Sequence, residues 1–205
     1  AMRQQAIDAI RQQLGQVDLV IYSLASGIRV LPDGRQVRSV LKTTGQPFSG
    51  WGLDLEQDTL VQQSLAPATP EEIRDTVTVM GGEDWQLWLQ ALQQADCLAP
   101  GAQTVAYSYI GPESTYPLYR DGTIGYAKEH LHATAETINL QLAEIGGHAW
   151  VSVCKALVTK ASAYIPVLPV YLGLLMGVMK ERGVHEGCIE QMQRLFADKM
   201  YGPRG

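Results

Sequence analysis

A chain of 205 residues, of which 46% are hydrophobic and 18% charged, can bury a sizeable core, and this composition excludes a disordered tail. Sixteen basic and 21 acidic residues leave a net charge of −5, so we expect no general surface for nucleic acids or anionic membranes. The three cysteines, Cys97, Cys154 and Cys188, are too few and too widely spaced for a disulfide framework or a zinc knuckle.

Features of export and of membrane insertion are also missing from the sequence. The first residues are polar and lack the apolar segment of a signal peptide. The most apolar stretch, residues 165–179, contains two prolines and is shorter than the ~20 residues that a membrane span requires. Together with the cysteine usage, these features predict a cytoplasmic protein with no membrane span.

The first predicted elements are a helix and a strand. Residues 2–14 have an amphipathic pattern that ends at Gly15, and residues 17–22 are then predicted to form a short, largely buried strand. Residues 27–50 are rich in glycine, proline and other turn formers. Within them, Pro32-Asp33-Gly34 is the predicted tip of a hairpin.

Three helices are predicted next along the chain. The pattern favours helices over 60–65 and over 70–80, and Thr69 precedes the second of them as its cap. Gly81-Gly82 then interrupts the pattern. The third helix places four large apolar residues on one face at the i, i+3, i+4, i+7 spacing: Trp85, Trp88, Leu89 and Leu92.

Two further strands complete the predicted sheet. They cover 104–109 and 150–154, and between them a helix is predicted for 123–145, ending at Gly146-Gly147. Near-continuous apolar strands separated by helices predict an α/β fold, with a parallel sheet covered by helices on both faces. Such sheets bind ligands beyond the carboxyl ends of their strands. In this chain those ends are residues 23–26, 108–111 and 155–159.

A dinucleotide-binding sheet usually carries a glycine-rich phosphate turn, and none of the glycine clusters in the sequence has the G-x-G-x-x-G spacing. Gly81-Gly82 is the least suitable cluster, because Glu83 and Asp84 would repel a phosphate from that helix end. Either the chain binds no dinucleotide, or the first strands of its sheet are missing.

The most informative polar pair is Tyr119 and Lys128, nine positions apart. A continuous helix would place them on opposite faces, because nine steps of about 100° separate them. They converge only if Tyr119 precedes the helix, and Asp121-Gly122 supplies a break at that place. Such a pair can present a proton donor beside a cofactor; the alternative is a surface tyrosine near a solvated lysine.

Six motifs along the chain carry a family resemblance. They are Tyr22-Ser23-Leu24-Ala25-Ser26, Ser39-Val40-Leu41-Lys42, Met80-Gly81-Gly82-Glu83-Asp84-Trp85, Tyr109-Ile110-Gly111-Pro112-Glu113, Asp121-Gly122-Thr123-Ile124-Gly125-x-Ala127-Lys128-Glu129-His130-Leu131 and His185-Glu186-Gly187-Cys188-Ile189-Glu190-Gln191. In these motifs, and in register over essentially all of its length, the chain resembles the trans-2-enoyl-CoA and enoyl-acyl-carrier-protein reductases of the FabV type.

This resemblance implies a Rossmann-like, short-chain-dehydrogenase-like parallel sheet with an inserted loop and helix region at about 27–101. The family carries its glycine-rich turn in an N-terminal portion that has no counterpart here. Residues 1–205 therefore correspond to the second half of a dinucleotide-binding reductase domain, and we expect an incomplete fold that binds NADH only weakly by itself. The intact enzyme is expected to be a monomer.

The resemblance also implies roles for individual residues. Tyr119 matches the catalytic proton donor, Lys128 matches a catalytic lysine that also contacts the cofactor, and Tyr109 matches a substrate-contacting tyrosine. The implied cofactor is NADH, and the implied substrate is a thioester of coenzyme A or of acyl carrier protein. The remaining residues expected to line the cofactor follow the first and third strands: Leu24, Ala25, Leu157, Val158 and Thr159.

The implied activity is NADH-dependent reduction of the 2,3 double bond of a trans-2-enoyl thioester in fatty acid synthesis. Tyr119 would hydrogen-bond the thioester oxygen where negative charge develops, and would supply a proton directly or through water. Lys128 would ease formation of the Tyr119 phenolate and hold the cofactor ribose. Two alternatives stay open: a short-chain dehydrogenase that acts on a carbonyl, and a non-catalytic fragment that needs its missing half.

Other candidates for chemistry favour structural roles. His130 and His132 are two positions apart and would point away from each other on a helix, so we expect no metal site. Cys188 fits a small buried hydrophobe better than a nucleophile. Glu83-Asp84 fits the N-terminus of a helix, where the dipole favours acidic residues. Residues 165–179 are most simply a core helix, and the lining of an acyl-chain pocket is the alternative.

Overall fold

The computed structural model describes residues 2–24, 26–54, 56–158, 162 and 165–202. The helices in these ranges are α1 (Met2–Gln13), α2 (Pro70–Met80), α3 (Glu83–Gln94), α4 (Tyr116–Tyr119), α5 (Thr123–Leu142), α6 (Leu168–Glu181) and α7 (Cys188–Arg194). The strands are β1 (Val17–Tyr22), β2 (Ile28–Val30), β3 (Gln36–Arg38), β4 (Phe48–Asp54), β5 (Thr59–Leu65), β6 (Leu98–Ser108) and β7 (His148–Val153). Glu113–Thr115 and Ala143–Ile145 form 3-10 turns, and Leu195–Met200 forms a π-helical segment.

The central sheet has the strand order β1-β6-β7, and both strand pairs are parallel. The three predicted strands are therefore confirmed, although β6 begins at Leu98, earlier than predicted. Helix α5 lies in the crossover from β6 to β7, as in other Rossmann-like α/β folds. Because the strands are parallel, their carboxyl ends meet at one edge of the sheet, where ligands bind in such folds.

Helices α1, α3 and α5 pack on one face of this sheet and form the core with it. Trp85 and Leu89 of α3, and Ile138 and Leu142 of α5, are each at most 1% exposed. The Trp85 indole Nε1 donates a hydrogen bond to Thr104 Oγ1 at 2.9 Å, so the polar atom of this buried ring is satisfied. The amphipathic face predicted for α3 is thus confirmed.

The sheet is less enclosed than predicted. Strand β1 is only partly buried, because it forms one edge of the three-stranded sheet. On the face away from the core, Trp150 of β7 is 40% exposed. In the described part of the chain, helices therefore do not cover both faces to the same extent.

The chain between β1 and α3 contains two antiparallel hairpins, β2–β3 and β4–β5. The first has its tip at the predicted turn, where Gly34 has a φ of 85°. The helix predicted over 60–65 is wrong, because these residues belong to β5. In β5, Val61, Gln63 and Leu65 are partly buried and the residues between them are exposed, a two-residue period that suits a strand. Six residues are also too few for a stable helix by themselves.

Helix α2 begins where the sequence predicts. The Thr69 backbone N–H donates to Glu72 Oε2 at 2.8 Å, and the Glu72 N–H donates to Thr69 Oγ1 at 3.2 Å. This reciprocal capping box satisfies two backbone groups that the first turn of a helix leaves unpaired.

Two predictions for the C-terminal quarter are wrong. Helix α6 is not a core helix: Leu168, Pro169 and Leu172 are buried, but Leu174 is 70% exposed, because α6 packs through one end against β4. Cys188 is exposed rather than buried, because it begins α7, a short helix with no buried residue. Searched for membrane-spanning helices, the described ranges contain none of sufficient length and hydropathy.

Candidate active site

Of the cavities that open where the central strands end, two are lined by Tyr109 or Lys128; a third, of about 560 Å³, is lined by Tyr22, Leu24 and Asp84. The first, which we call the Tyr109 cavity, has a volume of about 490 Å³ and lies between the ends of β6 and β7 and helix α6. The second, the Lys128 cavity, has a volume of about 110 Å³ and lies between the ends of β1 and β6 and helix α5. Both occupy the edge of the sheet at which the sequence predicts ligand binding.

Tyr119 and Lys128 lie on consecutive helices rather than on one. Helix α4 ends at Tyr119, and α5 begins at Thr123 after the predicted break. The sequence analysis requires Tyr119 to precede the helix of Lys128 if the two side chains are to converge, and the structure meets this requirement. The break occurs at Asp121-Gly122 because the Gly122 backbone leaves the helical region, with a φ of −111° and a ψ of −176°.

The fold brings Tyr119 against Tyr109. Their ring centroids are 5.0 Å apart and their planes are nearly perpendicular, which is a favourable edge-to-face arrangement. Gly111 permits this contact: a Cβ at this position would lie 1.8 Å from Thr115 Oγ1, so only glycine lets the chain fold back so closely. Tyr109 also lines the Tyr109 cavity, whereas Tyr119 contacts Tyr109 and lines neither cavity itself.

Burial raises the pKa of the Tyr119 hydroxyl above its ordinary value of 10.0, and the neighbouring Tyr109 raises it further. Its hydroxyl has no hydrogen-bond partner among the described residues. Tyr119 is therefore a neutral, unpartnered donor at neutral pH. The expectation that Lys128 lowers the Tyr119 pKa is wrong, because burial dominates and Lys128 is not among the groups that shift it.

Lys128 is a partly buried cation without an acidic partner. Burial lowers the pKa of its ammonium group, and the nearby Cys154 opposes this shift. None of the ion pairs formed by the described residues involves Lys128. Because a buried ammonium group is costly unless it is hydrogen-bonded or paired, this environment fits a ligand that brings hydroxyl or anionic oxygens into the Lys128 cavity.

The remaining predicted cofactor residues are divided. Leu24 lines the Lys128 cavity and is 64% exposed. Leu157 and Val158 follow β7 and are 40% and 38% exposed, but they line neither cavity. Ala25 and Thr159 lie outside the described residues.

Sequence reasoning missed several residues that line these cavities. Tyr107, two positions before Tyr109, lines the Lys128 cavity. Tyr171 and Met176 of α6 line the Tyr109 cavity together with Cys154. For α6 the sequence does contain a signal: the apolar stretch 165–179 has the lining of a pocket as its alternative interpretation. The structure places α6 at the Tyr109 cavity, in agreement with that alternative.

A second tyrosine, Tyr22, is also partly buried at this edge of the sheet. The Tyr22 hydroxyl donates to Asp84 Oδ2 at 3.3 Å, and Arg3 Nη2 forms an ion pair with Asp84 Oδ1 at 2.6 Å. Burial raises the pKa of Tyr22, and the Asp84 carboxylate raises it further. The predicted position of Glu83-Asp84 at a helix N-terminus is confirmed, since α3 begins with these residues. Searched for clusters of three or more potential metal ligands, the described residues contain none.

Comparison with protein families matches residues 1–201 to the model of the trans-2-enoyl-CoA reductase catalytic region. An enoyl-[acyl-carrier-protein] reductase [NADH] of Photobacterium profundum is 55% identical over 203 residues, which cover 98% of this chain and 51% of the relative. The corresponding reductase of Flavobacterium johnsoniae is 56% identical over 201 residues, with coverage of 98% and 51%. The chain thus spans about half the length of the curated relatives it matches.

Solved structures show the same similarity. The Clostridium acetobutulicum trans-2-enoyl-CoA reductase in complex with NAD superposes with a TM-score of 0.95 at 46% identity, covering 98% of this chain and 52% of that one. The Treponema denticola trans-2-enoyl-CoA reductase in complex with NAD superposes with a TM-score of 0.92 at 50% identity, covering 97% and 50%. The Rossmann-like α/β fold predicted from the sequence is therefore confirmed.

Proposed function

We propose that this chain, which belongs to the trans-2-enoyl-CoA reductase family, is part of a protein that reduces the 2,3 double bond of an enoyl thioester with NADH. The observation that carries the proposal is the pair of unpartnered polar groups, the Tyr119 hydroxyl and the Lys128 ammonium, on consecutive helices at the carboxyl ends of a parallel sheet. We also propose that residues 1–205 form the part of a dinucleotide-binding reductase domain that carries this pair.

Lys128 is the residue that we assign to the cofactor. Its ammonium group lacks an acidic partner and lies beside Leu24 in a cavity at the end of β1, where a ribose hydroxyl can satisfy it. Leu24, Ala25, Leu157, Val158 and Thr159 are proposed to line the same cofactor. When bound, NADH supplies a hydride to the β carbon of the substrate.

Tyr119 is the residue that we assign to proton donation. As the electrons of the double bond shift toward the thioester, negative charge develops on its carbonyl oxygen, and the Tyr119 hydroxyl donates a hydrogen bond to that oxygen. A proton then reaches the α carbon from this hydroxyl, directly or through water. The raised pKa of Tyr119 suits this role, because the group keeps its proton until the oxygen acquires charge.

The Tyr109 cavity is proposed to hold the substrate. Its walls combine Tyr109 and Tyr171 with Met176 and Met179, which offer a mainly apolar surface to an acyl chain. The substrate is proposed to be a thioester of coenzyme A or of acyl carrier protein. A cytoplasmic location is part of the proposal and is supported by the three free cysteines.

The test is the oxidation of NADH by the full-length protein, followed by its absorbance, with crotonyl-CoA and with a panel of ketones. We expect turnover with crotonyl-CoA and none with the ketones. Turnover with a ketone and none with crotonyl-CoA would identify a carbonyl reductase instead. Absence of NADH oxidation with every substrate would overturn the proposal.

A further inference from the structure

The motif Ser39-Val40-Leu41-Lys42 has no role in the proposed chemistry, yet it lies against the turn that joins Tyr119 to Lys128. We call residues 40–44 the strap. On one side the strap is attached to α2: the Val40 N–H donates to Thr76 Oγ1 at 3.1 Å, and Lys42 Nζ pairs with Glu72 Oε1 at 2.5 Å. Thr76 is fully buried, so its hydrogen bond to Val40 is shielded from water, whereas the Lys42–Glu72 pair is partly exposed.

On its other side the strap is bonded to Thr123, the first residue of α5. Thr123 Oγ1 donates to the Val40 carbonyl at 2.6 Å and accepts from the Lys42 N–H at 3.2 Å. The Thr123 backbone N–H donates to the Lys42 carbonyl at 2.9 Å. Thr123 is fully buried, so all three bonds are made where an unpaired backbone group would be costly.

The rest of the turn is held by the same segment. Thr44 Oγ1 donates to the Asp121 carbonyl, and Thr43 forms a bridge with Gly122. A Cβ at Gly122 would lie 2.6 to 2.8 Å from the carbonyl oxygens of Pro117, Leu118 and Lys42. Glycine at this position therefore lets the strap and the end of α4 close on the turn from opposite sides.

We propose that the strap is a positioning element, and that Thr123, through its bonds to the strap, sets the separation of Tyr119 from Lys128. This inference rests on the proposed function, in which both residues act on one reacting complex. Tyr119 ends α4 three positions before the turn residue Gly122, and Lys128 lies in the second turn of α5. A displacement of about 1 Å between such groups can reduce a rate by about 10²-fold, although neither group is altered.

Thr123→Val tests this role because it keeps the shape of the side chain and removes only its oxygen. The Lys42 N–H then loses its acceptor, and the Val40 carbonyl loses its closer donor. Thr123→Ser keeps the oxygen and serves as the conservative variant.

Thr104→Val is the matched control. Thr104 is also fully buried, and its hydroxyl also makes two bonds, donating to the Val20 carbonyl and accepting from Trp85 Nε1, each at 2.9 Å. It lies in β6 and touches neither the strap nor the turn, so it reproduces the loss of a buried hydroxyl without affecting Tyr119 or Lys128.

The experiment measures thermal unfolding, NADH affinity, and kcat and KM for crotonyl-CoA in the full-length protein, at a temperature where each variant is folded. We expect Thr123→Val to lose about 10²-fold in kcat with a smaller change in KM. Thr123→Ser should stay within about threefold of the wild type, and Thr104→Val should lose stability but keep its kcat. A Thr123→Val enzyme with wild-type kcat, or a Thr104→Val enzyme equally slow, would overturn the inference.

Two further measurements keep the inference testable. If Thr123→Val does not fold, Thr44→Val removes the solvent-exposed hydrogen bond to the Asp121 carbonyl, and we expect a loss of about tenfold in kcat. Amide hydrogen exchange should be faster in residues 118–124 of Thr123→Val and Thr44→Val than in the same residues of Thr104→Val, and equal exchange would overturn the inference. Exchange requires no turnover, so it decides the role of the strap even if crotonyl-CoA is not reduced and the proposed function fails.

Discussion

Two partly buried tyrosines at the same edge of the sheet lie in contrasting surroundings. Around Tyr22 the hydroxyl donates to Asp84, and Asp84 pairs with Arg3. The guanidinium of Arg3, whose Nε has no hydrogen-bond partner among the described residues, lies 5.3 Å from the centre of the Trp88 ring. Around Tyr119, by contrast, the ring is packed on Tyr109 and the hydroxyl has no partner among the described residues.

This difference separates a structural site from a candidate catalytic one. Burial raises the pKa of both hydroxyls, so an altered pKa alone does not distinguish them. What distinguishes them is hydrogen bonding, because buried polar groups that serve only the fold are normally satisfied within it. The Tyr119 hydroxyl and the Lys128 ammonium have no partner among the described residues, whereas Tyr22 already stabilises the junction of β1 with α3.

The largest effect is expected from exchanging the two hydroxyls for hydrogen. Tyr119→Phe should lower kcat by roughly 10²–10³-fold and leave NADH affinity unchanged, because it removes a donor to the developing oxyanion. Tyr22→Phe should keep kcat and lower the free energy of unfolding by about 1 kcal/mol, because it removes a hydrogen bond to a carboxylate. Kinetics and thermal unfolding of the two variants measure the contrast directly. Wild-type turnover in Tyr119→Phe would remove the proposed donor.

Lys128→Met should separate binding from stability. Loss of a charged hydrogen bond to the cofactor should weaken NADH binding by roughly tenfold to a hundredfold and slow the reaction. The same change should raise the free energy of unfolding at neutral pH, because it removes a partly buried ammonium group that lacks an acidic partner. Arg11→Met, in the last turn of α1, is the control for loss of a positive charge. Unchanged NADH affinity in Lys128→Met would exclude the cofactor role.

The pH dependence follows from the opposite directions of the two pKa shifts. The pKa of Lys128 lies below its ordinary 10.5, and burial raises the pKa of Tyr119 well above 10.5, so Lys128 loses its proton first as the pH rises. The alkaline decline of kcat/KM should therefore belong to Lys128 and move to higher pH in Lys128→Arg. Between the lowered folded pKa and the ordinary value the unfolded chain binds more protons, so the Lys128 contribution to stability rises with pH. An alkaline decline at the same pH in Lys128→Arg would contradict this assignment.

How well the fold can be predicted depends on where the stabilising contacts lie along the chain. The start of α2 is predictable because Thr69 and Glu72 form their capping box within four residues. Strand β5 is not, because its stability comes from pairing with β4, and a polar residue, Gln63, occupies one of its inward positions. That glutamine obscures the alternation that would otherwise indicate a strand.

The candidate site shows the same limit. The break between Tyr119 and Lys128 is visible as Asp121-Gly122, since a local turn decides it. The contact of Tyr119 with Tyr109 and the approach of Tyr171 to the same cavity depend on how separate segments pack. The burial that raises the Tyr119 pKa is a property of that packing and is not visible in the sequence. From the sequence, only the positive charge of Lys128 can be considered, and that charge predicts a lowered pKa.

The smallest effect is expected at Asp84, and it tests whether the network around Tyr22 is only structural. Asp84→Asn keeps an acceptor for Tyr22 but removes the charge that pairs with Arg3. Because the two side chains are 23% and 34% exposed, the loss should be about 1 kcal/mol or less in the free energy of unfolding, and it should shrink as salt is added. We expect kcat to stay at the wild-type value, since no step of the proposed reaction uses this carboxylate. A tenfold fall in kcat in folded Asp84→Asn would show that the partner of a hydrogen-bonded tyrosine also serves the chemistry, and hydrogen bonding of the hydroxyl would then no longer separate the two tyrosines.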